Sequence, residues 1–299
     1  HAVLDRRALG AINITASHNP PSDLGFKVRD ERGAALDPAG LSALEALLPP
    51  AGEEIERLTL EHALGTGAVR LFDPAPAYRA YVAEHVDLAR IADAGLRVAY
   101  DPMWGAGIGW PGWLLGPCAR TTFHAIHDIP NPTFPDMRRP EPIPPNTDGL
   151  ARHVLSIGAD VGIANDGDAD RVGLIDENGR FVNQLQVYGL LAYYLLEVRG
   201  QRGDIVKTLS TTSMLDVLGE RYGVGVHETC IGFKYVAPKM LETDAMIGGE
   251  EAGGERGNDV AEVQHGPDHR GANHLQCPGQ GFQIVWGGAQ NGDAHGAGG

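Results

Sequence analysis

Three aspartates, Asp166, Asp168 and Asp170, alternate through the stretch VGIANDGDADRVGLIDENG, directly after a short apolar run. In a tight loop this spacing lets three carboxylates converge on one point. Two unit charges about 4 Å apart repel by roughly 4 kcal/mol at an effective dielectric near 20, so such a cluster asks for a cation. An all-oxygen donor set suits Mg²⁺ or Ca²⁺ rather than Zn²⁺. Glu177 is the twelfth residue from Asp166, which invites an EF-hand reading. That reading fails at the sixth position, where Arg171 replaces the glycine of the sharp turn, and on its flanks, which read as strands. A solvated acidic turn is the plain alternative. Mg²⁺ keeps coordination positions for phosphate oxygens, so the cluster points to a phosphorylated partner.

A second stretch, AINITASHNPPSDLGFKV from Ala11 to Val28, supplies a candidate carrier. A β-branched, strand-like run stops at Ser17-His18-Asn19-Pro20-Pro21, where a hydroxyl and an imidazole share a turn. Adjacent side chains on a turning backbone usually point apart, and no GxSxG elbow surrounds the serine, so a hydrolase triad is not indicated. The local reading is a turn in which Ser17 and Asn19 bond nearby backbone groups. The chemical reading is a phosphoserine, with about −1.5 to −2 charge and three acceptor oxygens, one of which can complete a Mg²⁺ shell.

The elements that must hold these loops alternate between strand-like and helix-like segments, which predicts an α/β architecture with largely parallel sheets. Residues 96–100, 161–164 and 205–209 read as core strands. Val187, Leu190, Leu191, Tyr194, Leu195 and Val198 follow the helical period, and 213–222 and 233–241 read as further helices. Asp73-Pro74-Ala75-Pro76 marks a domain boundary, and the proline-dense run 131–146 predicts a long ordered loop or a connection across a surface. At 299 residues the chain has room for two or three domains. Cys118, Cys230 and Cys277 are too few and too far apart for a disulfide framework or a CxxC metal site. The 24 basic against 39 acidic residues, a net charge of −15, argue against nucleic acid. No apolar run has the length of a membrane span and no signal-peptide pattern opens the sequence, so the expectation is a soluble cytoplasmic protein that does not engage membranes.

The ordered motifs TASHNP (Thr15 to Pro20), GFKV (Gly25 to Val28), DGDADR (Asp166 to Arg171), IGFKY (Ile231 to Tyr235) and GEEAGG (Gly249 to Gly254) resemble the α-D-phosphohexomutases, which include phosphoglucomutase and phosphomannomutase. The resemblance implies tandem related three-layer α/β domains with mixed, largely parallel sheets. It divides the chain into a partial first domain (1–72), a second with the metal loop (73–180), a partial third with the sugar loop (181–259) and a low-complexity tail (260–299) expected to lack order. By position, Ser17 matches the phosphorylated serine and His18 its active-site neighbour. Asp166, Asp168 and Asp170 match the Mg²⁺ ligands, completed by the serine's phosphoryl oxygen. Lys27 and Arg171 match cations at the reacting hydroxyl and phosphate, Lys234 a substrate-binding lysine, and Glu250 and Glu251 the loop on the sugar hydroxyls. The resemblance further implies a phosphorylated hexose as substrate and a sugar 1,6-bisphosphate as intermediate and activator. DPMWGAG (101–107) and NPTFPDMRRPEP (131–142) match second-domain segments and are given only structural roles.

Three departures accompany it. Only about sixteen residues precede Ser17, where the family has most of its first domain. Ala252 stands where the sugar loop commonly has serine. The pattern breaks off at Glu255, which reads as a frame shift or truncated product without the fourth, phosphate-gripping domain. The expectation is therefore a phosphoglucomutase, with phosphomannomutase or a non-catalytic Mg²⁺- and phosphosugar-binding fragment as the alternatives.

Overall fold

The computed structural model describes residues 1–264 except 37, 51, 232 and 253–259, and describes side chains for all of these but 38, 233, 234, 237, 250–252 and 260–264. The described residues divide into two compact units, one formed from His1–Asn13 with Phe26–Glu84 and the other from Ile14–Gly25 with the described residues from His85 to Gln264.

In the first unit, β1 (Ala11–Ile14) and β2 (Phe26–Arg29) make a two-stranded sheet. Gly10 permits the close approach of its two ends, since a Cβ there would lie 2.5 Å from the Arg29 carbonyl oxygen. Short helices over Ala2–Arg6, Pro38–Glu45, Leu60–Gly65 and Ala75–His85 accompany it. Thr59 caps one of them by accepting the His62 N–H.

The second unit holds two mixed sheets. The first comprises β3 (Arg97–Asp101), β4 (Thr122–Ala125), β5 (Val161–Asn165), β6 (Val172–Ile175) and β7 (Phe181–Val182) in the order β4-β3-β5-β6-β7. β3 runs parallel to both β4 and β5, whereas β5-β6 and β6-β7 are antiparallel. Val98, Ala99, Tyr100 and Asp101 are buried in succession, as a strand covered on both faces requires. The helix Asp148–Ile157 turns Leu150 and Val154, four residues apart, into the core with Ala99, Met103, Ala164 and Ile175. It ends on Gly158 in the left-handed region. The antiparallel β5-β6 connection carries Asp166, Asp168 and Asp170, which places the acidic triplet between strands as the sequence reading required.

The second sheet contains β8 (Ile205–Thr208), β9 (Val226–Thr229), β10 (Ile247–Ala252) and β11 (Val260–Gln264) in the order β11-β10-β8-β9. β8 lies parallel to β9 and β10, and β11 is antiparallel to β10. Val260–Gln264 thus form a strand at the start of a segment expected to lack order, because they pair with Gly248–Ala252; residues 265–299 lie outside the described residues. The helix Gln184–Tyr193 opens with a capping box between Asn183 and Gln186 and runs on as a π-helix over Tyr194–Val198.

The buried face of that helix differs from the predicted one. Leu190 and Val198 are 57% and 58% exposed, while Tyr188, Ala192 and Leu196 join Val187 and Leu195 in the core. Tyr188 fixes the rotation by donating its hydroxyl to the Val206 carbonyl at 2.7 Å, and the π-turn shifts the register beyond Tyr193. No helix among the described residues is long and apolar enough to cross a membrane.

The proline-dense run forms the ordered loop that was expected. Asn146 Nδ2 donates to the carbonyls of Arg139 and Glu141 at 2.8 and 2.9 Å, and Gly173 on β6 lets the Pro142 carbonyl approach to where a Cβ would clash. Beside it, His127 Nδ1 meets the fully buried Asp101 carboxylate at 2.9 Å, and Trp104 stacks on the imidazole with ring centroids 4.7 Å apart. Trp110 and Trp113 contact each other edge-on.

The hydrogen bond to Asp101 is the main cause that raises the His127 pKa above its ordinary value of 6.5, against the opposing effect of burial. The folded state binds this proton more tightly, so the stabilisation is complete below about pH 6.5 and is lost as pH rises through the raised folded value. Thermal melts across that window should show the wild type losing at most about 1 kcal/mol, given a partly exposed pair, or roughly 2–4 °C. His127→Gln should flatten this dependence, and a profile identical to wild type would discount the pair.

Candidate active site

The serine turn and the acidic loop, 151 positions apart, meet within the second unit. Ser17 adopts φ 55°, an uncommon left-handed conformation for a residue with a side chain, and is nearly buried. Thr15 Oγ1 supports it by accepting the Ser17 N–H at 2.8 Å. Gly25 closes the base of the loop, where the Thr15 N–H donates to its carbonyl at 3.1 Å and a Cβ would collide with the Thr15 carbonyl oxygen.

Asp168 ties the two loops together. Its Oδ1 accepts the Ser17 hydroxyl at 3.2 Å and its Oδ2 the Thr15 hydroxyl at 3.0 Å. Backbone proximity reinforces these bonds, since a Cβ at Gly167 would lie 2.7 Å from the Ser17 carbonyl oxygen. Gly105 allows a comparable approach on the other side, and the Ala106 N–H donates to the Gly167 carbonyl at 2.9 Å. The acidic loop closes on its own first side chain: Asp166 Oδ1 accepts the N–H groups of Asp170 and Arg171 at 3.0 and 2.9 Å, with Ala169 in the left-handed region. Asn165 fixes the end of the loop by donating to the Arg171 carbonyl at 2.7 Å, and Tyr100 donates to Asn165 in turn.

One oxygen from each of Asp166, Asp168 and Asp170 lies within 4.8 Å of the others. Burial, then repulsion from Asp170 and Asp168, pushes the Asp166 carboxyl well above the usual carboxylate range despite the opposing pull of Arg171. Asp166 Oδ2 is buried and accepts no hydrogen bond among the described residues; Arg171 Nε stands 4.0 Å away. A divalent cation with oxygen ligands suits this donor set, because it supplies the charge that three converging carboxylates lack.

His18 departs from the expectation that neighbouring side chains point apart. Its Nδ1 lies 3.4 Å from Ser17 Oγ, and its Nε2 lies 3.4 Å from Glu141 Oε1. Arg171 is buried with its Nη1 3.9 Å from the same Glu141 oxygen. Ser17, His18, Asp166, Asp168, Asp170 and Arg171 are thus gathered in one unit. Lys27 lies on β2 of the first unit, its Nζ buried and without a hydrogen bond among the described residues. Lys234 belongs to the helix Phe233–Thr243, and Glu250 and Glu251 fall inside β10, a strand where a loop was expected, because both are paired with β11. The side chains of these three are outside those described. Sequence reasoning missed Thr15 and Glu141. Thr15 carried a signal, a hydroxyl two residues before the serine of a turn; Glu141 carried none beyond being an acid in a proline run.

Three models of one family match in order: phosphoglucomutase/phosphomannomutase α/β/α domain I over residues 1–53, domain II over 76–179 and domain III over 183–259. The chain belongs to the phosphohexomutase family. It is 35% identical over 245 residues to a phosphoglucomutase/phosphomannomutase of Thermococcus kodakarensis, covering 82% of this chain and 52% of the relative. It is 33% identical over 242 residues to a probable phosphoglucosamine mutase of Pyrococcus abyssi, covering 81% of this chain and 51% of the relative. The crystal structure of a putative phosphomannomutase from Thermus thermophilus superposes with a TM-score of 0.74 at 34% identity, covering 88% of this chain and 56% of that one. The chain spans about half the length of the curated relatives it matches.

Proposed function

We propose that this chain carries the phosphoserine and metal-binding parts of a phosphohexomutase, which moves a phosphoryl group between C1 and C6 of a hexose. The observation that carries the reading is the meeting of the Ser17 hydroxyl with Asp168 at 3.2 Å, beside two further carboxylates. Phosphorylated Ser17 gives its phosphoryl group to the free hydroxyl of a hexose monophosphate: a sugar O–P bond forms as the Ser Oγ–P bond breaks, the sugar hydroxyl gives its proton to a base, and the Ser17 oxygen leaves with the bonding electron pair and takes up a proton. The resulting sugar 1,6-bisphosphate turns over and returns its other phosphoryl group to Ser17.

Asp166, Asp168 and Asp170 would hold Mg²⁺, which supplies positive charge to the phosphoryl oxygens when bound. The chain's own residues position the rest. Arg171, buried beside the triplet, is placed to stabilise charge on the transferring group. His18 faces the serine oxygen. Lys27, a buried ammonium without a hydrogen-bonding partner among the described residues, suits an anionic ligand and takes the role its motif implies.

Glucose is the favoured hexose, on the resemblance of GEE and DPMWGAG to the phosphoglucomutase branch, with mannose second. The probable phosphoglucosamine mutases among the relatives favour an amino sugar as a further reading. Purified chain supplied with Mg²⁺, a trace of glucose 1,6-bisphosphate and, separately, the 1-phosphates of glucose, mannose and glucosamine should convert the glucose compound fastest to its 6-phosphate. Faster conversion of glucosamine 1-phosphate would reassign the substrate. Silence with all three despite Mg²⁺ binding would replace the mutase reading with that of a binding fragment.

A further inference from the structure

We propose that Glu141 is a positioning residue for phosphoryl transfer, holding His18 and Arg171 in register with Ser17. This inference rests on the reading of Ser17 as the phosphoryl carrier. A single oxygen, Glu141 Oε1, lies 3.4 Å from His18 Nε2 and 3.9 Å from Arg171 Nη1. The other nitrogen of His18 faces Ser17 Oγ at 3.4 Å. An acid, an imidazole and a hydroxyl therefore stand in sequence, and the same acid also reaches the cation beside the metal loop. A carboxylate facing Nε2 favours the tautomer with its proton there, which turns the Nδ1 lone pair towards Ser17, where it can take the hydroxyl proton once that proton is released from Asp168.

The backbone around Glu141 is built to keep it in place. The Glu141 N–H donates to the Arg139 carbonyl at 2.9 Å, and its own carbonyl accepts both the Ile143 N–H and Asn146 Nδ2, each at 2.9 Å. Gly173 follows Arg171 by two residues, and its missing side chain admits the Pro142 carbonyl against β6. The loop carrying the acid is thereby anchored to β6, the strand that begins directly after Arg171. Its partners are largely withdrawn from water, with side-chain exposures of 22% for Glu141, 19% for His18 and 5% for Arg171, so the contacts are poorly screened. A proline-rich loop of structural purpose alone would not need a carboxylate aimed at two members of the site.

The test measures the rate at which Ser17 takes up phosphate from glucose 1,6-bisphosphate with Mg²⁺, by intact mass, in wild type, Glu141→Ala, Glu141→Gln and Glu141→Asp. Loss of an outer positioning group typically costs 10–100-fold, so Glu141→Ala should slow uptake by about that factor with Mg²⁺ affinity unchanged. Glu141→Asp, which keeps the charge, should recover part of the rate, whereas the isosteric Glu141→Gln, chosen to preserve the fold, should stay slow. Nitrogen-15 spectra of the His18 ring should shift between its tautomeric forms in Glu141→Ala. Wild-type uptake together with unmoved ring signals would overturn the proposal. If the wild-type chain takes up no phosphate, the carrier reading fails, and the ring signals alone decide whether Glu141 orients His18.

Discussion

Ser17→Ala should leave the chain unable to acquire phosphate, with uptake from a sugar bisphosphate reduced by at least about 10³-fold, as loss of a covalent nucleophile entails. Intact-mass measurement decides the matter, because phosphate on an oxygen adds a defined increment that the variant must lack. The fold gives the experiment a built-in rival. The Thr15 hydroxyl also donates to Asp168, at 3.0 Å, slightly closer than the Ser17 hydroxyl at 3.2 Å. Thr15 is already committed as an acceptor for the Ser17 N–H, which makes it the brace and Ser17 the carrier. An adduct that persists in Ser17→Ala and disappears in Thr15→Val would reverse those roles. Alanine keeps the β-carbon, so the left-handed strain at this position is unchanged and the stability loss should be about that of one hydrogen bond, near 1 kcal/mol. Loss of uptake in a variant that melts close to wild type therefore reports chemistry.

The same pair of loops explains what was legible in the sequence. Alternating aspartates after an apolar run encode their own geometry, since a short connection between strands leaves them nowhere else to go, and the bonds from the Asp170 and Arg171 N–H groups to Asp166 complete it. The core strands at residues 97–101, 161–165 and 205–208 were equally plain, because each carries a short apolar run bounded by turn residues. The meeting of Ser17 with Asp168 was not readable from either segment alone. It depends on glycines at 25, 105 and 167 that allow backbones to touch, and a glycine in sequence does not declare which neighbour it admits. Glu141 was hidden for a related reason: its place follows from how the proline loop lies on β6, which no local pattern announces. The helix from Gln184 failed differently. Its apolar period was correct for the whole segment but not for the face, because the π-turn and the buried Tyr188 hydroxyl rotate it.

Asp168→Asn should produce effects of opposite sign in the absence and presence of Mg²⁺. Without metal, the substitution removes one of three converging negative charges. Each such pair repels by up to about 4 kcal/mol at 4 Å and an effective dielectric of 20. Against this stands the loss of one accepted hydrogen bond, near 1 kcal/mol, because the amide oxygen can retain either Ser17 or Thr15 as donor while its NH₂ cannot accept the other. Relief of repulsion wins, so the metal-free variant should melt at or above the temperature of the metal-free wild type. With metal the order reverses. A wild-type site at 100 times its dissociation constant gains about 2.7 kcal/mol of stability, several degrees in melting temperature. Replacing a carboxylate ligand by an amide should weaken Mg²⁺ at least about tenfold, or 1.4 kcal/mol, and shrink that gain accordingly. Calorimetric titration with Mg²⁺ and paired melts in chelator and in excess Mg²⁺ read both halves. Equal Mg²⁺-induced shifts in variant and wild type would mean that Asp168 serves only to join the two loops, and that the cation, if held at all, is held by Asp166 and Asp170.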